Sequence, residues 1–318
     1  MKVTHRVRVG SDIEMVAAGA GSIWVGTDDF DDLLRIDPPS GEIVARIRYA
    51  GRYSGASQLA FSGSDVWAAV PGAASPPGGF DPGSPPEPWL VKAYEDFRLR
   101  TADLLEEETG GGIVRFDAST GRVRREMLFL DYRPSSIVMT DAGPVVPTDR
   151  GLRRLDPDTY RFGPPIGEPE MNFTLGTDEG IWAWSRSRIV LLDDETLQAK
   201  LTITAQDARV AGEFEDIAID GGVLWILSQL EILKVDASTG AVLARTDSSD
   251  LFDIEARYGI VLVEEILSGD LHRIDPSTLE TVATLDLPDK DVEAYGLAID
   301  VGAAWIAHGS SVLRVSVE

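Results

Sequence analysis

Residues 232–240 read ILKVDASTG, and related copies of this phrase recur along the chain. Each copy joins a short apolar strand to a turn that an Asp opens and that is rich in Pro, Ser, Thr or Gly. The spacing is about 40 residues apart from one longer step, which is the length of a four-stranded β-propeller blade. The other copies are LLRIDPPSG (33–41), IVRFDASTG (113–121), LRRLDPDTY (152–160), IVLLDDETL (189–197), LHRIDPSTL (271–279) and a degenerate seventh, VLRVSVE (312–318).

Tryptophan marks the same period. It recurs in strands such as GSIWVGT (21–27), at a place that we name the Trp position. Large rings at one phase of every repeat predict core residues that stack between neighbouring sheets. In repeats one to seven the Trp position holds Trp24, Trp67, Val145, Trp182, Trp225, Leu262 and Trp305.

The two landmarks together predict an all-β chain. We expect one domain over residues 1–318, a seven-bladed β-propeller with four-stranded antiparallel blades. The last repeat stops after its third strand, and the alternating segment 2–9 resembles an outer strand. We therefore expect residues 2–9 to close the ring beside 312–317, which removes an exposed sheet edge.

Blade two carries an insertion at residues 71–110. Its first part is a loop rich in Pro and Gly, and Ser84 with Glu87 forms a capping box that predicts a helix. Three positions for this helix stay open, namely the propeller rim, a lid over the channel mouth and a binding element for a protein partner. Its apolar stripe comprises Leu90, Tyr94, Phe97, Thr101 and Leu104.

Composition excludes several classes of protein. The chain has 29 Lys and Arg against 53 Asp and Glu, a net charge of −24, which argues against a nucleic-acid partner. There is no Cys, and the sequence contains neither a stretch long enough for a membrane span nor a signal-peptide core. We expect a cytoplasmic monomer without a membrane partner, and no motif indicates an organic cofactor.

Acidic residues gather at the predicted channel mouth. The positions ten and nine residues before the Trp position place them where the inner strands begin. Carboxylates in a concave site repel each other, so they predict a bound divalent cation, Mg²⁺ or Ca²⁺. Polar loop ends that face channel water are the alternative. The predicted metal ligands are Glu14, Glu215, Asp216 and Asp253.

Other mouth residues are candidates to bind a small-molecule substrate. Arg150 and Arg186 follow the Trp strands of blades three and four, where they would hold a substrate carboxylate or pair with a local Asp. Gln58 and Asn172 belong to the mouth rings, and Tyr94 belongs to the inserted helix.

The sharpest candidate constellation lies in blades six and seven. Glu265 and His308 both stand three residues after the Trp position, and Tyr295 begins the inner strand of blade seven. A Glu beside a His orients the imidazole and raises its basicity, as a general base requires. The alternative is a salt bridge that lines the channel without further function.

The blade pattern G-x-[IVL]-W followed by I-x-R-[ILF]-D-x-x-[ST]-G resembles bacterial seven-bladed propellers of the YVTN and streptogramin lyase (virginiamycin B lyase) type. The resemblance covers nearly the whole chain outside 71–110. Those lyases open a cyclic depsipeptide by elimination, with magnesium and a histidine base at the channel mouth. The resemblance thus implies a base role for His308, with Glu265 and Tyr295 beside it. Repeats here read WVG or WAA instead of W-F-T, so it implies a propeller with a mouth site rather than an antibiotic lyase.

Two functions from different classes stay open. The first is an enzyme that acts on a small or cyclic metabolite at the mouth, by elimination, isomerisation or hydrolysis. His308 would be the base, Glu265 would orient it or bind the metal, and Tyr295 would be the acid. The second is a non-catalytic propeller that binds a ligand or holds a partner protein through its faces and the inserted helix.

Overall fold

A computed structural model describes residues 1–27, 32–48, 56–70, 111–128, 134–148, 150–167, 171, 173–210, 212–247, 250–265, 269–287 and 296–317. Within these ranges the chain forms strands and no helix. In chain order the strands are β1 (Lys2–Arg8), β2 (Ile13–Gly19), β3 (Ser22–Thr27), β4 (Asp32–Ile36), β5 (Ile43–Arg48), β6 (Gln58–Ser62), β7 (Asp65–Val70), β8 (Gly112–Asp117), β9 (Val123–Leu128), β10 (Val138–Thr140), β11 (Gly143–Thr148), β12 (Gly151–Arg154), β13 (Phe173–Thr177), β14 (Gly180–Trp184), β15 (Arg188–Leu192), β16 (Ala199–Thr204), β17 (Phe214–Asp220), β18 (Val223–Ser228), β19 (Glu231–Asp236), β20 (Val242–Asp247), β21 (Leu251–Arg257), β22 (Ile260–Glu265), β23 (Leu271–Ile274), β24 (Thr281–Leu285), β25 (Leu297–Asp300), β26 (Ala303–His308) and β27 (Ser311–Ser316).

The strands form seven antiparallel sheets, and each sheet is one blade. The innermost strands of successive blades contact one another around the ring, as β17 does with β21 and β21 with β25. The seven-bladed propeller that the repeat predicts is therefore confirmed. The blades are β2–β5, β6–β9, β10–β12, β13–β16, β17–β20, β21–β24 and, for blade seven, β25, β26, β27 and β1.

The N-terminal strand closes the ring as expected. Strand β1 pairs antiparallel with β27, from Lys2 opposite Ser316 to Arg8 opposite Ser311. The backbone N–H of Val9 continues the pairing with a hydrogen bond of 2.9 Å to the carbonyl of Ser310. The edge of β27 is thereby covered, which removes a template for pairing with another chain.

Blade three departs from the four-stranded pattern within the described residues. Its sheet has three strands, and two isolated bridges, Leu155 with Phe162 and Leu152 with Ile166, take the place of an outer strand. The segment between those bridges contains Pro164 and Pro165. Proline has no backbone N–H to donate to a ladder, so a regular outer strand cannot form there.

Seven separate apolar layers lie between the blades, one at each interface. The residue at the Trp position always faces the following blade. Trp225 of blade five, for example, packs with Ile254 of blade six, and Trp305 of blade seven packs with Val16 of blade one. Both Trp side chains are at most 2% exposed. The predicted core role of the Trp position is confirmed, and these layers stabilise the ring.

The Asp of the repeated phrase builds its turn. The Asp236 carboxylate accepts hydrogen bonds from the backbone N–H of Ser238 (3.0 Å) and Thr239 (2.9 Å) and from both hydroxyls. These bonds, first that of the Ser238 hydroxyl, hold the pKa of Asp236 below its ordinary value. Gly240 follows with φ of 73°, a conformation that glycine adopts without strain. The same turn recurs at Asp37, Asp117, Asp156, Asp193 and Asp275.

The cation two residues before this Asp links neighbouring blades. Lys234 donates to the carbonyl of Pro276 at 2.7 Å, and its ammonium lies 5.8 Å from the Trp225 ring. Arg273 donates in the same way to the carbonyl of Val317 at 2.6 Å. The residues of the repeated phrase thus form turns and contacts between blades. Candidate site residues are therefore expected at the channel mouth.

The inserted segment 71–110, with its predicted helix, lies outside the described residues. Tyr94 lies outside them with it. Among the residues that are described, no helix is long and apolar enough to cross a membrane.

Candidate functional site

The inner strands of three blades begin with a β-bulge at the channel mouth. The strand register shifts between Ile13 and Met15 in blade one, and likewise around Glu215 in blade five and Phe252 in blade six. A bulge leaves one residue out of the ladder and re-aims its side chain. Glu215 and Phe252 are consequently exposed, and Glu14 is half-buried.

In blades two and three, the next residue along the inner strand forms a hydrogen bond with the following blade. Gln58 of blade two accepts a hydrogen bond of 2.8 Å from the backbone N–H of Ile137 in blade three, and Ser136 accepts one of 2.8 Å from that of Thr174. The innermost strand is a sheet edge, and its free N–H groups need acceptors. Gln58 also donates to the carbonyl of Thr174 at 3.0 Å. Its amide is therefore engaged within the protein, which does not suit the predicted substrate contact.

Two aspartates take this supporting place in blades five and six. Asp216 accepts a hydrogen bond of 3.2 Å from the backbone N–H of Ile254, and Asp253 accepts one from that of Leu297. The two carboxyl groups are also hydrogen-bonded to each other. Ionised carboxylates only accept hydrogen bonds, so this contact requires a proton on one of them.

The environment favours that proton. Burial first and the charge of Asp253 second raise the pKa of Asp216 well above its ordinary value. Burial likewise raises the pKa of Asp253. Both side chains remain half-buried, not fully enclosed, so a ligand in the channel can reach them. The structure thus brings together two of the four predicted metal ligands and gives them a shared proton.

Two further acids stand beside this pair. Glu264 lies opposite Asp253 across the β21–β22 ladder, and Glu255 lies opposite Leu262. Burial, followed by the charge of Asp253, raises the pKa of Glu264 to about 9 and that of Glu255 to about 8, while Arg257 opposes the second shift. We name Asp216, Asp253, Glu255 and Glu264 the carboxyl cluster.

The carboxyl cluster does not have the arrangement of a metal centre. Within the described parts of the chain, no three Asp, Glu or His side chains could hold a metal ion together. The predicted ligand Glu215 is exposed on its bulge, and Glu14 belongs to blade one, two blades beyond blade six. The four predicted metal ligands are therefore not gathered at one point in the described residues.

The structure separates Glu265 from His308. Side chains alternate between the two faces of a strand, so Glu265 shares its face with Val263, towards blade five. There its carboxylate lies 3.7 Å from Nε2 of His272. His308 shares its face with Ile306, towards blade six, and is 5% exposed. The two residues stand at the same place in adjacent blades, and each points towards the preceding blade. They therefore do not face each other.

Glu264 enters the same layer as His308, from the opposite blade. It lies two residues after Leu262 and shares that residue's face, towards blade seven. Comparison of residues at equal positions in the repeats does not reveal Glu264, because its offset from the Trp position differs from that of His308. The signal was present: a charged residue ends the apolar strand IVLVEE (260–265) at an even offset from the Trp position.

The remaining predicted residues lie elsewhere. Arg150 is exposed, and its backbone N–H donates to the Thr148 hydroxyl at 3.3 Å. The exposed Arg186 guanidinium lies 3.1 Å from the Glu213 carboxylate. Asn172 and Tyr295 lie outside the described residues.

The fold defines the class of this protein, a seven-bladed β-propeller, and the carboxyl cluster of blades five and six is its candidate site. A scan of the sequence against protein-family models finds no match, and a search of curated proteins finds none.

Proposed function

We propose that this propeller binds a small metabolite at the channel mouth and exchanges a proton with it, as an enzyme of elimination, isomerisation or hydrolysis. The observation that supports the proposal is the hydrogen-bonded pair Asp216–Asp253. Two carboxyl groups that share one proton supply an acid and a base at the same place.

The position of the pair suits this chemistry. Both residues lie where inner strands begin, and both are held by backbone N–H groups of the next blade. A fixed carboxyl loses little freedom when it meets a substrate, which favours proton transfer in a defined direction. His308, in the layer between blades six and seven, is a second acid–base group. The predicted base role of His308 thus becomes secondary to that of the aspartate pair.

A non-catalytic binding propeller is the second candidate. Leu230 is 54% exposed in the turn between β18 and β19, and Phe173 is 44% exposed at the start of β13. Both are on the mouth face. Exposed apolar side chains beside a polar opening are also what a partner protein would cover.

Screening of a soluble-metabolite library by thermal shift, with and without Mg²⁺ or Ca²⁺, would find ligands. Mass spectrometry of each incubation would then detect turnover. Asp253→Asn keeps the hydrogen-bond acceptor for Leu297 but removes the acid, so turnover should fall about 10²–10⁴-fold while the fold persists.

Ser136→Ala is the matched control, because it removes a ring hydrogen bond at the equivalent place in blade three. It should lower thermal stability and leave turnover unchanged. Full turnover by Asp253→Asn, or an equal loss in both variants, would contradict the proposed acid–base pair. Binding without any product would favour the second candidate.

A further inference from the structure

Glu264 is a buried acid whose carboxyl oxygens make no hydrogen bond to any part of the described chain. Its side chain is 1% exposed and lies between its cross-strand neighbours Asp253 and Leu271. Native proteins leave few buried polar groups without a partner, because such a group gives up its hydrogen bonds to water and forms none within the protein. This carboxyl is therefore a buried acceptor without a hydrogen-bond partner in the described residues.

The neighbours of Glu264 make the site strongly acidic. Asp253 and Glu255 come from β21 on the same face of blade six, and Asp216 reaches the same place from β17. The charge of Asp253 acts on each of the other three carboxyl groups. A positive group that entered among them would be attracted by each carboxylate that is ionised.

Cationic side chains on this side of the layer are committed to backbone carbonyls. On blade six, Arg257 donates to Ile299 at 3.3 Å and Arg273 donates to Val317 at 2.6 Å. From blade seven, β26 contributes His308, which is the other titratable group facing this layer in the described residues. The acids therefore outnumber the cations that the protein itself brings to the carboxyl cluster.

An aromatic side chain stands at the entrance. Phe252 is the bulge residue next to Asp253 and is 40% exposed on the mouth face. An aromatic ring attracts both a cation and the alkyl carbons attached to it. The mouth at blade six thus offers carboxyl oxygens inside and an apolar surface outside.

From this arrangement we propose that the mouth site binds the primary ammonium group of a small organic amine, with the nitrogen among Asp253, Glu255 and Glu264 and the organic part against Phe252. This inference deepens the proposed function and depends on it for the place of the site, though not for turnover.

An ammonium group fits these acceptors better than a divalent metal does. It carries three N–H donors that can reach separate oxygens, whereas Ca²⁺ needs six or more oxygens around one point and Mg²⁺ an octahedron.

Binding should release a proton. Several carboxyl groups of the cluster hold a proton near neutral pH, and an ammonium ion is best accommodated by an ionised carboxylate. The ammonium itself keeps its charge to about pH 10. If one proton leaves for each amine bound, the dissociation constant falls about tenfold per pH unit between about pH 6 and pH 8.

Isothermal titration calorimetry of the full chain tests this inference. The probes are n-butylammonium and 2-phenylethylammonium chloride, with 1-butanol, MgCl₂ and CaCl₂ as comparisons, at pH 6, 7 and 8. Each amine titration is run in phosphate and in MOPS, neither of which contains a primary amine and whose different ionisation enthalpies reveal the number of protons released; the metal chlorides are titrated in MOPS alone. Both amines should bind, the aromatic one more tightly, with release of about one proton.

Glu264→Gln should weaken amine binding at least about tenfold at pH 8 and reduce the number of protons released, since the variant keeps the shape of the side chain but cannot ionise there, while Glu255 still can. Glu265→Gln is the matched control, because the neighbouring side chain faces blade five, and it should bind as the parent does. Thermal melting shows that each variant is folded.

Three results would overturn the inference: absence of amine binding, amine binding that is independent of pH, or full binding by Glu264→Gln. Failure of this inference can be told apart from failure of the proposed function. If a neutral metabolite or a metal ion binds the parent protein but not Asp253→Asn, the proposed acid–base site is supported. Only the proposal of an ammonium ligand then fails.

Discussion

Replacement of Glu264 by glutamine should raise the stability of the folded protein more and more as the pH rises. Burial raises the pKa of this carboxyl from 4.5 to about 9. An acid whose pKa is higher in the folded state contributes its full stability below the ordinary pKa. That contribution is lost as the pH rises towards the folded-state pKa, because the unfolded chain ionises first.

The size of the effect follows from the two pKa values. Each pH unit between them lowers the free energy of unfolding by about 1.4 kcal/mol. At pH 7 the free energy of unfolding of the parent protein should therefore be about 3.4 kcal/mol lower than at a pH below the ordinary pKa of Glu264. The glutamine amide also lacks a partner in the described chain, which costs about 1–3 kcal/mol, but it does so equally at every pH.

Urea unfolding of parent and variant at pH 5.5, 6.5, 7.5 and 8.5 measures the difference. The free energy of unfolding of Glu264→Gln relative to the parent should increase by about 1.4 kcal/mol per pH unit, or about 4 kcal/mol over the range. Glu255 and the aspartate pair titrate in both proteins, so their contributions largely cancel in the comparison. Glu265→Gln, which weakens a partly exposed contact with His272, should change stability by less than about 1 kcal/mol. A constant difference between parent and variant across the range would refute the raised pKa and with it the account of Glu264 as a buried neutral acid.

Two other outcomes follow from the fold. Asp236→Ala should lower the urea midpoint at pH 7 more than at pH 3, because the lowered pKa of Asp236 gives a stabilisation that is present above its ordinary pKa and lost as the pH falls; equal losses at both pH values would contradict this. Removal of residues 1–9 should expose β27 and lower the free energy of unfolding by at least about 3 kcal/mol, since Val7 and Val9 lose their burial and an edge is freed; a monomeric peak in size-exclusion chromatography with an unchanged melting temperature would contradict it.

The fold could be predicted from the sequence because its signals are local and repeated. The Asp of each phrase forms a turn with the two or three residues that follow it, and the ring at the Trp position needs only a neighbouring blade to cover it. Seven copies fix the number of blades without any knowledge of distant contacts. Blade three shows the limit, because Pro164 and Pro165 interrupt a ladder that the period alone predicts.

The candidate site could be predicted only in part, for a geometrical reason. The positions of Asp216 and Asp253 along their strands can be counted from the sequence. Both lie near the start of adjacent inner strands, where each accepts a hydrogen bond from the backbone of the next blade. The face of the strand was not considered. On the Trp strands, side chains at equal positions in neighbouring blades point towards the same side of their blades, as Glu265 and His308 do, so they do not face each other.

Partners across a layer must therefore come from opposite faces of their own blades. In this propeller an even offset from the Trp position faces the following blade, as Leu227 of blade five shows, and an odd offset faces the preceding one, as Ile226 shows. Glu264 is two residues after Leu262, and His308 is three residues after Trp305, so both enter the layer between blades six and seven. The same rule sends Glu265 to the other side of blade six, beside His272. Between the Trp strands of two adjacent blades, side chains therefore share a layer where an even offset in one blade meets an odd offset in the next, and this can be counted from sequence once the Trp position is known.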